Sequence, residues 1–334
     1  MSEGGQCPLF ITFGGIVMKR TVILVMSLLM VTTLLVAQPI AETPVQPTAI
    51  AVMAGPTGFS SAGLGRSLDE DAFTLTVFPS PNEVIARLAN GELDVAALPS
   101  NVAANLYNKG VKIQVAAVIG DGMLSVLSTD DSITSAADLV GKTIHAPGAG
   151  STPAQMASLL IREAGLVEGT DVILDYSVAA PAQLAQLVIA GKVTLAILPE
   201  PFVTMIRTKN PQVTVAADVQ ELYRSLTGIA NYPMSVLVVR SDFAQQNPAQ
   251  LTAVLNAYEQ SVSWVNANHA AAGEAIEAAD IMAAAMAAPA IGSCNLVWRP
   301  ASEAAGELDA YYTFLYSFSP DAIGGAVPKA DLYR

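Results

Sequence analysis

Few residues in this chain have the types and spacing that chemistry needs, and those few favour non-covalent recognition over bond-making. Glu200 stands between Pro199 and Pro201, directly after the apolar run 195–198. A carboxylate at the end of such a run must be solvated, paired or hydrogen-bonded. It either meets a cation or N–H donors on a ligand, or it caps a following helix, where the N-terminal dipole favours negative charge. Asp121, in the segment GDGM, carries the same two readings. Gly148, Gly150, Ser151 and Thr152 open a predicted helix. The first N–H groups of a helix have no intrahelical acceptor and can bind a carboxylate, a phosphate or a carbonyl. The same residues also suit a plain strand-to-helix turn. Thr57, Ser100 and Asn101 add neutral polar groups to neighbouring loops. Phe59, Phe202 and Tyr232 are placed either to stack on a planar ligand or to pack the interior.

The ingredients of catalysis are sparse. The chain has two histidines, His145 and His269. His145 has no cysteine or second histidine near it in sequence, so no zinc set is expected. His269 is expected at the end of a helix, solvated. There is no nucleophile-elbow signature and no Walker loop. No catalytic residue, metal or cofactor is therefore expected. The candidate loops contain no Lys or Arg, Arg66 being the nearest. A bound anion would have to rely on helix N-termini and hydroxyls. The formal net charge of −13 argues against nucleic acid, which demands clustered basic residues.

The elements that hold these residues show a repeat. PNEVIARLANGELDVAALPSNVAANL begins at Pro81, and PAQLAQLVIAGKVTLAILPEPFVTMI begins 100 residues later at Pro181. Each reads as an amphipathic helix, a glycine stop, a buried strand, a proline and a new helix. Ser80 with Glu83, and Thr152 with Gln155, fit capping boxes. Strands alternating with helices imply an α/β protein with mainly parallel sheets. Repetition implies two α/β lobes around a cleft, the first at 46–135 plus 240–334 and the second at 136–239. Two hinge segments near 128–135 and 232–241 would join them. Ligands of open α/β sheets bind beyond the carboxyl ends of the strands. That rule selects Thr57, Phe59, Ser100, Asn101, Asp121, Gly148, Gly150, Ser151, Thr152, Glu200, Phe202 and Tyr232 as candidate ligand-binding residues.

Residues 1–41 read as an N-terminal extension and export signal. Met18-Lys19-Arg20 precedes an apolar run that ends in small residues suited to cleavage. The mature chain is expected to begin near Gln38 or Glu42, leaving a soluble, exported monomer. Cys7 would be lost with the signal and Cys294 would remain alone, so no intramolecular disulfide is available.

The segments IAVMAGPTG, ELDVAALPSNVAANLYNKG, DLVGKTIHAPGAGSTPAQM, LAILPEPFVTMI and AIGGAVPKADLYR resemble the periplasmic substrate-binding proteins of ABC importers. The resemblance is to the nitrate/sulfonate/taurine and thiamine-precursor (NMT1/THI5-like) group. It implies a type II periplasmic binding fold, a small-molecule ligand trapped between lobes, and permease and ATPase partners in the membrane. Relatives that bind nitrate or sulfonates often use basic or tryptophan-rich contacts. Trp264 and Trp298 lie outside the candidate loops here. A small organic ligand that is neutral, aromatic or nitrogen-containing is therefore favoured. Two alternatives stay open. One is an enzyme on the same fold, a pyrimidine-precursor synthase or a menaquinone-route lyase. The other is a ligand sensor docked on a membrane partner.

Overall fold

The two copies of the repeat fold alike, and they sit in different sheets. Pro81 and Pro181 each start a helix, Pro81–Ala89 and Pro181–Ile189. Proline at the first helical position gives up only an N–H that has no helical acceptor. Gly91 and Gly191 follow at φ of +79° and +69°, a left-handed conformation that favours glycine. The strands Val95–Pro99 and Leu195–Pro199 come next, and then the helices Ser100–Asn108 and Phe202–Lys209. Both strands lie between neighbours and are buried nearly throughout, which explains their unbroken apolar sequences.

The computed structural model describes residues 46–133 and 135–334; the predicted signal lies outside them. Eleven strands occur among the described residues, numbered here in chain order. They are β1 (Thr48–Met53), β2 (Phe73–Phe78), β3 (Val95–Pro99), β4 (Ile113–Asp121), β5 (Leu124–Ser128), β6 (Thr143–His145), β7 (Ile173–Asp175), β8 (Leu195–Pro199), β9 (Thr214–Asp218), β10 (Pro233–Arg240) and β11 (Leu296–Pro300). The first sheet has the order β11-β4-β10-β3-β1-β2, and the second β7-β6-β8-β5-β9. Pairing is parallel at β1–β2, β1–β3, β6–β7 and β6–β8. It is antiparallel where β10 meets β3 and β4, and where β5 meets β8 and β9. This is the mixed α/β architecture of the type II periplasmic binding fold.

The chain leaves the first sheet between Asp121 and Leu124 and returns between Asp218 and Pro233. The sequence placed the passages at 128–135 and 232–241. The difference lies in strand membership: β5 pairs with β8 and β9 of the second sheet, and β10 already belongs to the first. An apolar run announces a strand but not its partner.

Residues Pro47–Arg334 form one compact unit. One large apolar cluster includes Val52 and Val236 of the first sheet together with Val126, Ile144 and Ile197 of the second. A smaller cluster joins β8 to Leu184 and Val188 of one helix and to Val203 and Ile206 of the next. The C-terminal helix Ala301–Phe318 buries Tyr311, Tyr312 and Leu315. Tyr311 stacks on Tyr232 at 5.4 Å, and Tyr223 meets Tyr232 edge-on at 5.1 Å. This aromatic group binds the returning passage to the C-terminal helix.

Several local expectations are corrected. Ser80 makes no capping hydrogen bond, and Glu83 pairs with Arg87 at 2.8 Å instead. Ser151, one residue before the expected Thr152, caps the helix Thr152–Glu163 by accepting from the Ala154 N–H. His269 begins the helix His269–Ala278 rather than ending one. Residues expected as a loop after β1 form the short helix Pro56–Ser61. No helix among the described residues is long and apolar enough to cross a membrane.

Candidate functional site

A cavity of about 730 Å³ opens where the carboxyl ends of β1, β3, β6 and β8 face one another. Ligand pockets fall in the range of about 300–1,000 Å³. Six helices begin at its wall: Pro56–Ser61, Pro81–Ala89, Ser100–Asn108, Thr152–Glu163, Pro181–Ile189 and Phe202–Lys209. Four of them carry proline in the first turn. Those prolines make rigid apolar wall without an N–H to satisfy, while the next residues of each first turn keep theirs. Met53, Ile85, Leu106 and Met234 extend the apolar lining. Asn82, Asn105, Gln155, Ser80 and Ser235 interrupt it with neutral polar groups. The charged residues that touch the cavity are Lys109 and Asp321, both exposed, so they mark its rim.

Seven of the candidate residues line this cavity: Thr57, Asn101, Gly148, Gly150, Ser151, Thr152 and Phe202. Their polar groups are already engaged to different degrees. The Thr57 hydroxyl turns back on β1, accepting from the Met53 N–H at 2.9 Å. Asn101 is 1% exposed and donates from Nδ2 to the Gly150 carbonyl at 3.0 Å. Its Oδ1 accepts from the Thr152 hydroxyl at 2.9 Å. The Phe202 ring lies beside Gly55, where an added Cβ would stand 3.6 Å from Cε2.

The other five lie elsewhere, each for a physical reason. Phe59 faces the core, fully buried, because the helix that starts at Pro56 turns it inward. Ser100 donates to the Pro233 carbonyl at 2.6 Å and so ties the start of helix Ser100–Asn108 to β10. Asp121 takes a bidentate pair from Arg299 at 3.0 and 2.6 Å, a partner 178 residues away. Tyr232 is enclosed by Tyr223 and Tyr311, and its hydroxyl donates to Gln220. Glu200 accepts from the Thr204 N–H at 3.0 Å, the capping alternative of the two readings. Burial raises its carboxyl above the ordinary value, while the Thr204 groups and Arg207 pull the other way. His145 also lies outside the cavity, 3.4 Å from Asp175 on the neighbouring strand.

Sequence reasoning missed several lining residues. Tyr176 is the chief one: it follows β7, an edge strand of three residues with little signal of its own. Its hydroxyl donates to Glu168 at 3.2 Å, leaving the ring as the part that the cavity meets. Lys109, Met234, Ser235 and Asp321 come from segments not at the end of a parallel strand.

The arrangement can hold and orient a small molecule. It offers helix-terminal N–H groups, amides, hydroxyls and two aromatic rings. Among the described residues no group of His, Cys, Asp or Glu is placed to hold a metal. Cys294 is buried, and burial together with the Glu200 charge pushes its thiol well above the ordinary value.

Comparison with known proteins places this geometry. The chain is similar to an ABC transporter protein from Parabacteroides distasonis, with 24% identity over 86% of this chain and 99% of that one, and a TM-score of 0.72. It is similar to the alkanesulfonate-binding protein SsuA from Xanthomonas axonopodis pv. citri, bound to MOPS: 15% identity, 88% and 98% covered, TM-score 0.67. It is similar to the nitrate-binding protein NrtA from Synechocystis: 15% identity, 70% and 66% covered, TM-score 0.58. At these identities the likeness concerns the fold. A search of curated protein sequences gave no match. The family described as periplasmic substrate-binding proteins of phosphonate ABC transporters matches residues 61–288. With more than half its length matched, and with a cavity at the strand ends of two α/β sheets, this chain belongs to that family of ABC-transporter periplasmic substrate-binding proteins.

Proposed function

We propose that the chain captures a small neutral organic ligand, aromatic or nitrogen-containing, and delivers it to a membrane permease without chemical change. The observation that carries this reading is the charge distribution of the cavity. Among the described residues its charged lining consists of Lys109 and Asp321, which have opposite sign and stand at the exposed rim. Between them lie prolines, methionines, two aromatic rings and neutral amides and hydroxyls. An apolar wall with a few polar groups suits a neutral ligand whose body is buried and whose orientation is set by hydrogen bonds. Neither Glu200 nor Asp121 contributes to this argument, since neither side chain reaches the cavity. The two sheets, with their helices, are proposed as two lobes that close on the ligand.

A second reading is favoured by a specific observation. Six helices begin at the cavity wall, and none of the ion pairs among the described residues involves the Lys109 ammonium. Helix N-termini favour anions. The family description names phosphonate, and SsuA is described as alkanesulfonate-binding. A compact oxyanion is thus the competing ligand class.

Mass spectrometry of the small molecule released from purified, acid-denatured protein tests the two readings. Calorimetric titration with benzamide and with methylphosphonate, as probes of the two classes, adds the thermodynamic comparison. A neutral aromatic compound in the released fraction is expected. Recovery of a phosphonate or sulfonate, with tight methylphosphonate binding, would defeat the neutral-ligand reading in favour of the second. Turnover of the released compound by the purified protein would defeat the role of carrier.

A further inference from the structure

Asn101 lines the cavity, yet its carboxamide is spent on protein. It sits in the first turn of helix Ser100–Asn108, which follows β3 of the first sheet. Its two partners, Gly150 and Thr152, follow β6 of the second sheet. Nδ2 donates to the Gly150 carbonyl at 3.0 Å, and Oδ1 accepts from the Thr152 hydroxyl at 2.9 Å. The carbonyl can only accept, so it fixes which end of the amide faces it. Asn101 and Thr152 are each 1% exposed. Gly150 adopts φ of +77°, a conformation open to glycine at little cost, which sets the direction of that carbonyl. These bonds therefore join the two sheets at the cavity wall, and separating the sheets would break both.

We propose that Asn101 is a positioning residue, a latch whose carboxamide holds the two sides of the cavity together. It sets the open–closed equilibrium of the protein, and through it the affinity for any ligand, without lending its amide to the ligand. This rests on the two-lobe closure proposed above. A ligand that binds only the closed form loses apparent affinity in proportion to the closed fraction. Loss of the latch should then weaken chemically unlike ligands by a common factor, whereas loss of a ligand contact weakens them selectively.

The test uses the full mature chain without ligand, as wild type, Asn101→Ala, Thr152→Val and the double variant. Hydrogen exchange is followed at the amides of 100–103, 148–152, 154 and 155, with β8 and β10 as internal references. Two buried hydrogen bonds shift an equilibrium by about 5- to 150-fold. Exchange in the two cavity segments should rise by a factor in that range in Asn101→Ala, and by less in Thr152→Val. The double variant should exceed Asn101→Ala little, because both changes open one network. The references should stay unchanged, and small-angle scattering should show a larger radius for Asn101→Ala. Wild-type exchange at the cavity in Asn101→Ala would overturn the latch, as would a rise shared equally by β8 and β10, which marks general destabilisation. If Asn101→Ala fails to fold, Thr152→Val carries the same comparison. The closure reading fails separately, if neither wild type nor Asn101→Ala contracts at saturation with benzamide or methylphosphonate, whichever it binds. Selective loss of one probe, benzamide or methylphosphonate, in Asn101→Ala would assign Asn101 to ligand contact instead.

Discussion

At the scale of residues, Glu200 shows how one carboxylate can satisfy two sequence readings and adopt only one. It accepts the Thr204 N–H, and burial raises its pKa above the ordinary carboxylate value. The folded state then holds this proton more tightly than the unfolded chain does. Ionisation of Glu200 therefore weakens the fold as pH rises from the ordinary value through the raised one. Glu200→Gln keeps an acceptor for Thr204 and removes the charge. Its stability should match wild type at about pH 4 and exceed it at about pH 7, with ligand affinity unchanged. Denaturant melts at the two pH values read the difference, and a variant weaker at both would refute this account. Tyr176 offers the opposite case, a residue with no sequence signal whose ring meets the cavity. Its hydroxyl is held by Glu168, and burial first, then that carboxylate, pushes its pKa up to about 12. The phenol stays protonated at any physiological pH. Tyr176→Ala should weaken calorimetric binding of an aromatic ligand by about two- to tenfold. Tyr176→Phe should weaken it little, since the ring is retained.

Between elements, the passage from the first sheet to the second depends on contacts made far away in sequence. β4 ends at Asp121, whose carboxylate is gripped by Arg299 of β11, and Arg299 also reaches Glu307 at 3.0 Å. The Gly122 carbonyl that follows accepts from Asn295 at 2.6 Å and from Asn231 at 3.3 Å. Gly122 itself leaves no room for a side chain, because an added Cβ would lie 2.4 Å from the Tyr232 ring. The crossing is thus fixed by β11, the returning segment and Tyr232 together. Asp121→Ala would leave a partly buried guanidinium short of its main partner. A loss of about 1.5–3 kcal/mol in unfolding free energy is expected, with affinity for ligand preserved. Urea titration beside calorimetry checks both halves of that statement. Equal stability would show that Glu307 and solvent replace Asp121 fully.

For the whole molecule, the expected behaviour is closure. The two lobes proposed above, joined by two passages beside a cavity at the facing strand ends, are arranged so that ligand contacts would drive hinge motion. A ligand can shift that equilibrium only as far as it binds the closed form better. Small-angle scattering should show a smaller radius at saturation than in the free state, with the larger contraction in Asn101→Ala, whose free form is the more open. A free radius already equal to the bound one, persisting in Asn101→Ala, would mean a rigid receptor.

The sequence by itself determined the elements. Pro81 and Pro181, Gly91 and Gly191, and the apolar strands after them are local signals, because helix starts, left-handed stops and buried strands are set by residues a few positions apart. The repeat they form fixed the α/β class. The rule that ligands sit beyond parallel strand ends then located Thr57, Asn101, Gly148, Gly150, Ser151, Thr152 and Phe202 at the cavity. Only the tertiary structure decided partners. Nothing near Asp121 in the chain announces Arg299, nothing near Tyr232 announces Tyr311, and nothing near Asn101 announces Gly150 and Thr152. The same is true of β5 and β10, whose sequences mark them as strands and leave their sheet open. A side chain's availability to a ligand depends on who else has claimed it. That is settled by contacts tens to hundreds of residues apart in the chain, to which local sequence pattern is blind.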